Sequence, residues 1–215
     1  MSTGAARQQE ANRGPVPSLM KPAEAAARID AERARELEAY TLGVQTVVWG
    51  MQRVKARQTL RNFTAPLPAG VSAPLFDPAP DGVNVWGHAR AQITHELRAI
   101  VTPNSETLMS TAVVDLRDGP IVVVHPEFGE RCFRTSVWEL CGDTRTISQK
   151  RDGSPPAPCA LLPAGWEGTM PDGMRTIRVH SRYVFVAPHI GVMGEDDLIE
   201  AHALQDGLRL IALDD

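Results

Sequence analysis

Cysteine, lysine and aromatic residues are all scarce in this chain of 215 residues. Its three cysteines, Cys132, Cys141 and Cys159, form no CxxC pair and no zinc-ligand spacing. An odd number of thiols in a long chain is no disulfide framework. They read as free thiols in a reducing compartment, and the expected location is the cytoplasm. Lysine stands only at positions 21, 55 and 150, so arginine carries nearly all of the positive charge. The net charge is −4, which argues against a nucleic-acid binder driven by phosphate contacts. No apolar run approaches the roughly 18–20 residues of a membrane-crossing helix, so neither a helical span nor a membrane partner is expected. The first residues lack a basic start followed by an apolar stretch, so no secretory leader is expected. Glycine-rich phosphate loops, a Gly-x-Ser-x-Gly elbow and HxH or HExxH spacing are also missing, which leaves no local signature for a nucleotide, a serine nucleophile or a metal.

What is present is ordinary for a globular chain. Hydrophobic residues make up 43% and charged residues 22%. A compact fold of this length buries roughly 70% of its unfolded surface, enough for a real core. Residues 1–21 are polar and aperiodic and are expected to be a disordered arm or one that orders on a partner. Residues 22–61 are rich in Ala, Arg and Glu. Ile29, Leu37, Tyr40, Val44, Val47 and Val48 recur at helical spacing, with Pro22 at a favoured first position. Gly43 and Gly50 point to two helices or one kinked helix. Residues 62–83 hold five prolines and read as a loop. From Asn84 to about Ile100 a helix is slightly favoured, because Ala89, Ile93 and Leu97 recur every four residues.

After Pro103 the period changes from 3.6 to 2. The run from Thr111 to Phe128 reads as a strand, a turn at Asp118-Gly119 and a second strand. A third strand follows, whose two faces are Cys132/Arg134/Ser136/Trp138/Leu140 and Phe133/Thr135/Val137/Glu139. Further strands are expected at Cys159–Leu162, Met174–His180, Tyr183–Ala187 and Leu208–Leu213. Glu195, Asp196 and Asp197 open a short helix, where acidic groups offset the positive end of its dipole. Strands without intervening helices favour an antiparallel β-sandwich of six to eight strands over residues 84–215, with N-terminal helices packed on it and a short C-terminal helix.

Several ordered motifs then converge. They are Asn84 to Arg90 (NVWGHAR), Pro103 to Ser110 (PNSETLMS), Asp115-Leu116 with Gly119-Pro120, Gly165-Trp166-Glu167-Gly168, and Glu195 to Asp206. Together with Tyr40 to Gly50, this series resembles the uncharacterised, mainly bacterial family catalogued as domain of unknown function 1254, over about residues 36–213. In that family the second motif reads P-N-x-D-T-L-Y-S, so Glu106 replaces its acid and Met109 its tyrosine. The resemblance implies a fold more than a reaction. It also implies a second conserved domain, which these residues do not include. A site shared between the two would be completed by self-association or by a companion protein.

The strongest local cluster is Asn104, Glu106, Thr107 and Ser110, with His88 and Arg90 from the preceding segment. Glu106 with His88 would form a general acid–base pair, with Asn104 and Ser110 as further catalytic groups. Arg90, Thr107, Arg145 and Trp166 are candidate substrate contacts, Arg145 for a carboxylate and Trp166 for a ring. The alternative reading makes Asn104 and Thr107 turn caps, with Glu106 bound to Arg90 or to backbone amides. Arg145 could instead pair with Asp143, and Trp166 could cover the core edge. The six histidines, 88, 95, 125, 180, 189 and 202, would need long-range assembly to hold a metal. Cys141 reads as a structural thiol at a strand end. No metal or cofactor is expected. Two functions remain: a ligand-binding or assembly module with a small-molecule ligand, or a hydrolase- or lyase-like enzyme or enzyme subunit using the Glu/His pair.

Overall fold

The computed structural model describes residues 21–65, 82–93 and 104–213. The expected arm, most of the Pro-rich segment, His95 and Pro103 lie outside them. The chain falls into two compact units, residues 1–49 and 50–215. No helix among the described residues is long and apolar enough to cross a membrane.

Helix α1 runs unbroken from Pro22 to Thr64. Gly43 and Gly50 sit inside it, so the expected division into two helices does not occur. A glycine costs only about 1 kcal/mol in a helix interior, too little to break a helix rich in Ala, Arg and Glu. Arg28 and Glu32 form an i,i+4 pair at 3.1 Å. The apolar stripe is not buried: Leu37, Tyr40, Val47 and Val48 are each at least 60% exposed.

Nine strands follow among the described residues: β1 (Gly87–His88), β2 (Thr107–Asp115), β3 (Ile121–Val124), β4 (Phe133–Glu139), β5 (Thr144–Ser148), β6 (Cys159–Leu162), β7 (Arg175–Arg178), β8 (Tyr183–Gly191) and β9 (Arg209–Ala212). A single turn, α2 (Gln149–Asp152), follows β5. A 3-10 turn at Glu195–Asp197 leads into helix α3 (Leu198–Asp206). One sheet has the order β1-β2-β8-β4-β5 and the other β7-β6-β3-β9. The result is a mainly-β fold of two sheets with an N-terminal helix and a short C-terminal helix.

Three details differ from the sequence reading. Residues 84–93 are not helical; Gly87 and His88 pair with Thr111 and Ser110 as a short edge strand. The turn at Asp118-Gly119 does not close a hairpin, because β2 pairs with β1 and β8 while β3 pairs with β6 and β9. It carries the chain from one sheet to the other, with Gly119 at φ +139°. The pair β6·β7 is parallel, which the long connection 163–174 permits.

The core lies between the sheets. From the five-stranded sheet come Val114, Phe133, Val137, Ile147, Val184, Val186 and Ile190, and from the other Ile121, Val123, Cys159, Leu161 and Ile177. Phe128 and Phe133 stack at 4.3 Å. The outward face of β2 is covered as well: Leu108 packs with Val192, Leu198 and Ala201, bringing α3 against the sheet. β2 is therefore buried on both faces along nearly its whole length. On the outward face of the second sheet, Val122, Ala160 and Leu162 are covered by Trp166, Met170 and Met174.

Candidate functional site

The segment 87–90 lies along β2, opposite residues 110 and 111. This register brings His88 to Ser110, with Nδ1 and Oγ 2.8 Å apart. Gln205 of α3 completes the set. Its amide nitrogen donates to Ser110 Oγ at 3.1 Å and to the carbonyls of Ala89 and Met109 at 3.1 and 3.3 Å. With the serine oxygen accepting from Gln205, its own hydrogen is available to His88 Nδ1. That arrangement suits a neutral imidazole. His88, Ser110 and Gln205 are all buried. Burial, aided by the Arg90 guanidinium, pushes His88 down to about 4. Arg90 reaches the same C-terminal end of α3, donating to the Gln205 side-chain oxygen at 3.3 Å and the His202 carbonyl at 3.2 Å, and pairing with Asp206. His202 Nε2 lies 2.7 Å from the Arg90 carbonyl. Of the predicted residues, the structure thus brings together His88, Arg90 and Ser110, and it adds Gln205.

The others fall elsewhere. Asn104 accepts the Glu106 amide at 2.7 Å, an Asx-type cap at the entry to β2. The Glu106 side chain is exposed. No hydrogen bond joins it to His88, and Arg90 is paired with Asp206 instead. Thr107 Oγ1 lies 3.3 Å from His189 Nδ1, and burial pushes the His189 pKa down. Arg145 is exposed on β5, its guanidinium directed to the Thr144 carbonyl at 3.4 Å. Trp166 is half-buried over the second sheet, and a Cβ at Gly168 would overlap its indole, so that loop position accepts only glycine without a shift of the ring. His125 is buried beside the stacked Phe128 and Phe133, 2.7 Å from Thr135 Oγ1, and burial pushes it down to about 4. His180 is exposed on the turn after β7.

An open feature stands at the other end of the five-stranded sheet, where the β4–β5 and β7–β8 turns meet the last turns of α1. A groove of about 680 Å3 is lined by Arg53, Ala56, Arg57 and Leu60 of α1, Leu140 and Cys141 of the first turn, and His180, Ser181, Arg182 and Tyr183 of the second. The turns are held firmly. Glu139 is buried, and its Oε2 accepts the amides of His180 and Ser181 at 2.6 and 3.0 Å. Gly142 has φ +99° and lies directly beneath the Gln52 amide, so any side chain there is both strained and obstructed. Arg182 is clamped by Asp115 through two 2.8 Å bonds and lies over the Tyr183 ring. Arg57 has no hydrogen-bond or ion-pair partner among the described residues. A smaller hollow of about 280 Å3 shares Ala56, Leu60 and Leu140 and continues onto Trp138 and Phe185. There the Trp138 and Phe185 rings stack at 5.3 Å and Phe63 meets Phe185 edge-on at 5.0 Å. Cationic groups therefore rim one part of the groove, and an apolar, aromatic floor extends from it. Among the described residues, one set of three possible cation ligands comes within 4.8 Å, Glu139, Cys141 and Asp143, at the same turn.

Comparison with known proteins bears on this arrangement. The profile of the family described as Protein of unknown function (DUF1254) matches residues 83–212, more than half of the chain. The chain belongs to the DUF1254 family. Among curated proteins none matches it significantly. A similar solved structure is that of the VPA0106 protein from Vibrio parahaemolyticus, a structural-genomics target. The two share a fold at a TM-score of 0.58 with 16% identity, over 78% of this chain and 37% of that one. This DUF1254 chain therefore spans well under half the length of that protein.

The motifs through which the chain resembles DUF1254 proteins are largely struts of the fold. Asn84 accepts the Asp115 amide at 2.9 Å, and Asp115 clamps Arg182. The last motif supplies Gln205 and Asp206 for the contacts with segment 87–90. It also supplies Asp197, which binds Arg131 through two 2.6 Å bonds. That guanidinium and the Met193 amide hold Asp197 down to about 2. Sequence reasoning missed Gln205, because a helical glutamine looks like a solvated side chain. It missed the groove, because three distant segments build it. The unusual density of arginine was the one available signal.

Proposed function

We propose that this DUF1254 domain is a non-catalytic ligand-binding module, and that its ligand is an amphipathic anion: a carboxylate, or a similar oxyanion, attached to a hydrocarbon or aromatic body. The observation that carries this reading is the groove at the end of the five-stranded sheet, lined by Arg57, which has no partner among the described residues, with an aromatic floor leading away. Its volume is typical of small-molecule sites, which run to roughly 300–1,000 Å3. Such a guanidinium favours a carboxylate, and the stacked Trp138 and Phe185 offer apolar area to the remainder.

The enzyme alternative has less support. His88 is spent in a buried hydrogen-bond set, and a pKa near 4 makes it a poor base at neutral pH. Glu106 is exposed and has no hydrogen bond to it. A hydrolase- or lyase-like reaction through that pair would require α3 to leave the sheet.

Isothermal titration with decanoate, and with decylamine as the control of opposite charge, tests the proposal. Decanoate is expected to bind and decylamine not. Arg57→Glu is expected to weaken decanoate binding about tenfold or more while leaving the melting temperature unchanged. Equal binding of both amphiphiles, or indifference to Arg57→Glu, would overturn it.

A further inference from the structure

Helix α1 carries a second pattern, which shares Arg57 with the groove. Leu37, Tyr40, Val44, Val47, Met51 and Val54 follow one another at spacings of three and four, three consecutive a/d pairs of a heptad. All six lie on one continuous helix, and their exposure runs from 45% at Val44 to 71% at Tyr40. A 3.5-residue period is the signature of a seam that meets another helix rather than a sheet.

The charges say which helix. Residues 30–38 hold Asp30, Glu32, Glu36 and Glu38 with two arginines, whereas residues 53–61 hold Arg53, Lys55, Arg57 and Arg61 with no acid. The seam is also its own complement when reversed. Turned end for end, Leu37 of one copy stands opposite Val54 of the other, Tyr40 opposite Met51, and Val44 opposite Val47. Each contact is repeated by the two-fold axis. In that register the acidic end of one helix lies along the basic end of its partner. Gly43 and Gly50 then face one another beside the axis and permit close approach. A parallel pairing sets acid against acid and base against base, which costs stability at both ends.

We infer that a second copy of this chain covers α1, with the two helices antiparallel and the axis between Gln45 and Thr46. The test uses the full chain. Size-exclusion chromatography with light scattering is expected to give twice the 23.4 kDa chain mass. The double variant Val44→Asp/Val47→Asp is expected to be monomeric with unchanged helical circular dichroism. Glu36→Lys/Glu38→Lys is expected to raise the dissociation constant about tenfold or more. Orientation is read by oxidative cross-linking in a Cys132→Ser/Cys141→Ser background. A mixture of Leu37→Cys and Val54→Cys chains is expected to link, and neither variant alone. A monomeric wild type, a dimer indifferent to Val44 and Val47, or linkage of Leu37→Cys with itself would each overturn the inference.

Discussion

Two buried histidines set the behaviour of this protein in acid. His88 and His125 are both pushed down to about 4 by burial, against an ordinary value near 6.5. Between those two values the unfolded chain takes up protons that the folded chain refuses. Stability from these sites is therefore complete above about pH 6.5, falls as the pH drops, and levels off below about 4. Urea unfolding across pH 7 to 4 is expected to show this loss, and His125→Gln to flatten part of it. A urea midpoint constant from pH 7 to 5 would contradict the assignment. The same residues show how much of the site was legible. A histidine and a serine twenty-two positions apart look like chemistry in a sequence. The third member, Gln205, turns the set into a strut, and no spacing rule links it to either. Asn104, by contrast, caps its turn as an Asx residue does, which a local reading foresees.

Among the elements, short-range periodicity was informative and sheet membership was not. The alternation in β4 separates the buried Phe133, Thr135, Val137 and Glu139 from the exposed Arg134 and Trp138, although Ser136, on the outer face, is buried as well, and β6 falls at its expected residues. β5, with the sequence Thr-Arg-Thr-Ile-Ser, is a polar edge strand without an apolar face to betray it. The four-residue recurrence of Ala89 and Ile93 imitates a helix, but both side chains are simply buried around an edge strand. Nothing local distinguishes a hairpin from a strand that changes sheets at Gly119. The attachment of α3 is the element-scale test. Gln205→Leu removes its hydrogen bonds to the Ala89 and Met109 carbonyls, to Ser110 and to Arg90, at a cost of about 2–3 kcal/mol. In a chain of this size that lowers the melting temperature by roughly 5–10 °C. A shift of a degree or two would mean that α3 is held chiefly by the packing of Leu198 and Ala201 on Leu108 and Val192.

At the scale of the molecule, the residues that made the sequence resemble its family are mostly consumed in holding two sheets, α3 and the connecting turns together. The chemistry left over is elsewhere, at one end of the five-stranded sheet. There Glu139 and Asp115 fix two turns, and guanidinium groups and aromatic rings share one groove. Cys141 lies in that groove, whereas Cys132, the other exposed thiol, does not line it. This pair gives the most direct measurement of the account: the rates of maleimide alkylation of the two thiols, read by mass spectrometry with and without saturating decanoate. The account predicts that decanoate slows Cys141 several-fold and leaves Cys132 unchanged. Equal rates at Cys141 with and without decanoate, or equal slowing of both thiols, would contradict it.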